Sequence, residues 1–81
     1  MKLQDALQGG GLVIGAINQS SGEPVEVFRE SDLPIQRTRY RLIIHQTVLP
    51  SIDLLYDTLN ELISELKNRR PDLDENAWAR T

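Results

Sequence analysis

The chain has 81 residues, 40% of them hydrophobic, with 9 basic and 12 acidic side chains and a net charge of −3. That length holds one domain near the small end of what folds unaided, where association between copies is a common support. The absence of cysteine excludes disulfides and thiolate metal sites, the single His45 excludes a histidine-rich metal centre, and the acidic balance disfavours a generic nucleic-acid binder.

Leu3 to Gln8 is predicted to form one or two helical turns, stopped by Gly9-Gly10-Gly11, which accept left-handed dihedrals without steric cost. The opening residues lack the apolar core of a signal peptide, and the apolar runs Leu12–Ile14 and Leu42–Ile44 are too short to cross a membrane. Gly11 to Asn18 reads as a strand rich in branched residues. Gln19-Ser20-Ser21-Gly22-Glu23-Pro24 is turn chemistry, and from Val25 to Glu30 apolar and polar residues alternate as in a second strand. A β-hairpin over Gly11–Arg29 is expected.

The stretch 35–49 fits two periods. As a strand it places Tyr40, Leu42, Ile44 and Val48 on one face and Arg37, Arg39, Arg41 and His45 on the other. As a helix it aligns Tyr40, Ile44 and Val48, against the propensity of its β-branched residues. Strand is the preferred reading. Pro50 breaks regular structure in either case. From Ser51 to Lys67 the recurrence of Ile52, Leu55, Leu59, Leu62 and Leu66 predicts a long amphipathic helix. Asp53, Asp57, Glu61 and Glu65 would form an acidic column on its wet face. Ser51 would cap it, Lys67, Arg69 and Arg70 would complement its C-terminal dipole, and Pro71 would end it. Residues 71–81 read as a polar tail carrying Trp78.

The expected fold is therefore α+β: a hairpin or three-stranded antiparallel sheet over residues 1–70, covered by one long C-terminal helix. A hairpin with two helices kinked at Pro50 is the alternative. Helix, three strands and a longer helix is similar in order to double-stranded RNA-binding domains. The final helix opens Ser51-Ile52-Asp53 where theirs is lysine-rich, so no family follows.

No catalytic, cofactor or metal site is expected. The glycines at 9–11 and 15 lack the Lys-Ser/Thr of a phosphate loop and are followed by a strand. Ser20, Ser21, Ser31 and Ser51 have only His45 as a base, with nothing in the sequence to bring them together. What remains is surface. Leu55, Leu59, Leu62 and Trp78 are candidate protein contacts, tryptophan being a frequent interface anchor. Arg37, Arg39 and Arg41 form a basic stripe whose natural counterpart is the column Asp53, Asp57, Glu61 and Glu65. On opposite sides of one domain the two would meet only between chains. The expectation is a cytoplasmic, non-enzymatic protein–protein interaction module, a self-associating regulatory or assembly protein of bacterial or viral type. The alternative is a nucleic-acid-binding regulator using the arginines.

Overall fold

A computed structural model describes residues 1–20, 22–32 and 34–81; Ser21 of the expected turn, one of the serines set aside as nucleophiles, lies outside them. In chain order the elements are α1 (Leu3–Ala6), β1 (Val13–Asn18), β2 (Val25–Asp32), β3 (Arg37–Ile44), β4 (Ile52–Tyr56), α2 (Leu59–Arg69) and β5 (Trp78–Arg80). The strands build one five-stranded sheet in the order β4-β3-β2-β1-β5, with every neighbouring pair antiparallel.

This corrects the expected fold. The sheet has more than three strands, and its C-terminal helix is short. Residues 52–56, assigned to a long helix by their apolar spacing, form β4 instead. The segment satisfies two periods at once. Ile52, Leu54 and Tyr56 align at a spacing of two opposite Ile44, Leu42 and Tyr40 of β3. As a strand the segment pairs along its whole length with β3 and sets Ile52 and Tyr56 against the core. The helix begins where its cap is. The Thr58 hydroxyl caps it by accepting the Glu61 amide at 3.2 Å, and the same hydroxyl donates to the Glu61 carboxylate at 2.9 Å, so the Glu61 side chain holds the cap rather than reaching back to the Thr58 amide.

The even-numbered positions of β1, β3 and β4 and the odd ones of β2 face the two helices. They form the core around Ala16, Val25, Val27, Leu42, Ile44, Leu62, Leu66 and Trp78. On this side α1 packs over β5 and β1, while α2 packs over β3 and β4. Residues 71–81, expected as a polar tail, carry the fifth strand. Buried Asn18 anchors this segment by donating to the Asp74 carbonyl at 2.9 Å. Ser20 accepts the Asp74 amide at 2.9 Å. Arg70 grips Asp72 through two nitrogens, each at 3.0 Å, and donates to the Glu23 carbonyl at 2.9 Å.

Four residues are too few for α1 to hold itself together. Arg29, on the helix side of β2, holds it down by donating to the carbonyls of Leu7 at 2.8 Å and Gly9 at 2.6 Å. Gly9 turns its carbonyl towards Arg29 with a φ of 134, a conformation that side chains rarely tolerate. Replacing Arg29 with Met should cost about 1.5–3 kcal/mol, typical of hydrogen bonds from a charged donor. The Ala6 and Leu7 amides, which close the turn, should then exchange faster with solvent; unchanged protection would show that Arg29 is not the anchor.

Candidate functional site

Among the described residues no helix covers the opposite face of the sheet. Strand alternation places there the side chains that the core does not use. Register aligns them in rows: Val13, Glu30 and Arg39; then Gly15, Phe28, Arg41 and Leu55; then Ala79, Ile17, Glu26, Ile43 and Asp53. Phe28, Ile17 and Ile43 are half-buried, whereas Leu55 is 42% exposed and Val13 62%. An apolar band thus crosses an otherwise charged surface, bordered at the β2–β3 hairpin by exposed Leu12 and Ile35.

The basic stripe lies on this face, but its acidic counterpart is in the same chain. Because residues 52–56 are a strand, Asp53 and Asp57 alternate onto the open face beside β3. Arg37 donates to Asp57 at 2.8 Å, and Arg41 bridges Glu30 at 2.6 Å and Asp53 at 2.8 Å. The hydrogen bond to Glu30, followed by that to Asp53, makes the Arg41 guanidinium a still weaker acid than usual. Among the described residues Arg39 makes no side-chain hydrogen bond. The expected meeting of these stripes between chains is corrected: alternation along β4 lets them meet within one. Glu61 and Glu65 stay on α2, engaged by Thr58 and by Arg69 at 2.5 Å.

The hydrogen bond from Arg37 holds the Asp57 carboxyl below the usual carboxylate range, with Coulombic attraction to Arg37 and then Arg39 adding to it. A depressed folded value means that this pair supports folding above the ordinary carboxylate pKa. Its contribution is lost as pH falls through the lowered value. Arg37→Ala should therefore raise the Asp57 pKa towards the ordinary range, read from its side-chain carbon shift across an acid titration. An unmoved titration would mean that the pair does not persist in solution.

The structure also joins residues that sequence spacing left apart. His45 Nε2 lies 3.1 Å from Glu26 Oε1, and His45 Nδ1 lies 3.2 Å from Ser51 Oγ. The chain of contacts resembles a nucleophile, base and orienter, but it runs over open sheet surface. Ser51 is exposed, and the His45 and Glu26 side chains are 40% and 27% exposed. Water competes at each position, and the arrangement works as a strap across the β3–β4 turn. Among the described residues no group of three or more His, Cys, Asp or Glu side chains gathers to hold a metal ion.

The remaining candidate contacts divide. Leu62 is fully buried, Trp78 is 4% exposed, and Leu59 packs against the core, so these three serve the chain's own interior. Only Leu55 is presented outward. Ile17, Phe28 and Ile43 join it on the open face, a grouping visible only once strands are placed on both sides of β2.

The fold and surface together define a class: a small α+β domain whose antiparallel sheet is covered on one face and bare on the other. No protein family, curated protein or solved structure matches the chain. Among the described residues no helix is long and apolar enough to cross a membrane.

Proposed function

We propose that the protein is a non-enzymatic interaction module that offers the open face of its sheet to another protein and also associates with itself, in a regulatory or assembly role. The observation that carries this reading is the uncovered band of Ile17, Phe28, Ile43 and Leu55. An apolar strip framed by polar groups is the pattern by which soluble proteins recognise other proteins. The ion pairs beside it favour a protein over a nucleic acid. Arg37 and Arg41 already bind carboxylates, so phosphate contact would first have to displace those acids.

Immobilised protein should capture a defined partner from the source cell, and Ile43→Glu should lose that partner while melting at an unchanged temperature. Equal capture by both proteins would sink the open-face reading. Titration with single-stranded and duplex nucleic acid at two salt concentrations tests the rival. Tight binding that falls steeply with salt and disappears in Arg39→Glu would transfer the function to nucleic acid.

A further inference from the structure

The two edges of the sheet are not alike. At β5 the ladder is taken up by Met1, whose carbonyl accepts the Trp78 amide at 3.0 Å and whose amino group donates to the Trp78 carbonyl at 3.0 Å. At β4 the outer edge has no strand beside it among the described residues. Every second residue of Ile52–Tyr56 therefore directs its backbone N–H and C=O away from the sheet. The strand contains no proline, lysine or bulge of the kind that blunts such edges.

We infer that β4 is the self-association element: two copies join β4 to β4 in antiparallel fashion about a two-fold axis at Leu54, making one continuous ten-stranded sheet. This deepens the self-association half of the function proposed above and leaves the open face free as a doubled platform for the other half.

The sequence of β4 selects both the occupant and the register. A two-fold axis normal to the sheet keeps each face on its own side, so helix-side residues meet only helix-side residues. With the axis at Asp53, that carboxylate would directly oppose its own copy. With the axis at Leu55, Asp53 would oppose Asp57 of the second copy. Like charges placed directly across a strand pair are destabilising. With the axis at Leu54, all five residues of β4 pair and no acid opposes an acid. On the helix side Leu54 meets Leu54 and Ile52 meets Tyr56, bringing together three half-buried apolar side chains from each copy. On the open side Asp53 meets Leu55, the most exposed apolar residue of the strand. The two Asp53 carboxylates come diagonally near the axis, each already bound to its own Arg41. The intrachain ion pair thus removes the repulsion that would otherwise guard this edge.

A chain without native cysteine makes the test clean. Directly opposed residues of antiparallel strands lie about 4.5–5.5 Å apart between Cα atoms, within disulfide range. Leu54→Cys should form a covalent dimer under mild oxidation, whereas Ser51→Cys, about 20 Å from its copy at roughly 3.3 Å per residue, should not. If Leu54→Cys fails to fold, an equimolar mixture of Asp53→Cys and Leu55→Cys supplies the same information from exposed positions. The mixture should crosslink several-fold more than either variant alone. Sedimentation of the unmodified protein should show a dimer at high micromolar concentration. A monomer throughout, or Ser51→Cys crosslinking as well as Leu54→Cys, overturns the β4 register. Efficient crosslinking through Ile43→Cys instead would keep self-association but move it to the open face. Partner capture lost in Ile43→Glu while the β4 crosslink persists separates the two surfaces.

Discussion

Replacing Leu42 with alanine should lower the unfolding free energy by about 2–5 kcal/mol, the range for truncating a fully buried leucine in a packed core. Leu42 sits two residues from the end of β3, between Val27 and Leu54 in the ladder and fully shielded from solvent beneath the helices. Helix on one side and paired strands on the others leave little freedom to collapse into the space vacated. A domain of this length has a total stability of about 4–12 kcal/mol by the usual per-residue range, so this one change consumes a large share of it. In denaturant the midpoint should fall with little change in slope. Leu55→Ala, one row away on the bare face, should stay within about 0.5 kcal/mol of the parent. Equal losses at both positions would contradict the assignment of a buried and an open face.

The second large effect concerns Gly15. A Cβ built at this position would stand 2.6 Å from the Phe28 ring and 2.5 Å from the Thr81 hydroxyl. Phe28 is the cross-strand partner of Gly15, and its ring occupies the space that the missing side chain leaves. That seat keeps the ring half-buried on a face that no helix covers among the described residues. Gly15→Ala must push ring and hydroxyl aside, an overpacking cost of about 1–3 kcal/mol. Each kcal/mol should lower the melting temperature by roughly 4–8 °C in a domain of this size. Combining Gly15→Ala with Phe28→Ala should cost less than the two single changes added together, because the second change removes what the first collides with. Strict additivity would mean that the ring is not seated on the glycine. The displaced ring would also enlarge the apolar band, so Gly15→Ala should bind hydrophobic dyes more strongly than the parent.

Local chemistry made part of this architecture readable. Turn residues from Gln19 to Pro24 separate β1 from β2, glycines follow α1, and the alternation of Tyr40, Leu42 and Ile44 with arginines describes β3. Each of these signals needs only neighbouring residues: a φ that glycine permits, a ring that fixes proline, a side chain that alternates. The stretch 52–56 was not readable in the same way. Ile52, Leu55, Leu59, Leu62 and Leu66 follow a helical period, yet only the last three face the core from a helix. The signal for the true boundary was the pair Thr58 and Glu61, at capping-box spacing and seven residues beyond the expected cap at Ser51.

By itself the sequence determined composition, the lack of any thiolate site, the hairpin, the arginine stripe and the two-sided character of residues 59–69. Those properties are carried by single residues or by short-range periodicity. Only the tertiary structure decided that 52–56 is a strand, that Trp78–Arg80 completes the sheet, and that Asp53 and Asp57 neutralise Arg41 and Arg37 within one chain. It also decided which leucines are interior and which edge of the sheet stays open. The physical reason is common to all of these. A segment compatible with two periods takes the one whose face finds a partner, and that partner lies elsewhere in the chain. For β4 it was the apolar side of β3, eight or more residues earlier, which no local pattern could supply.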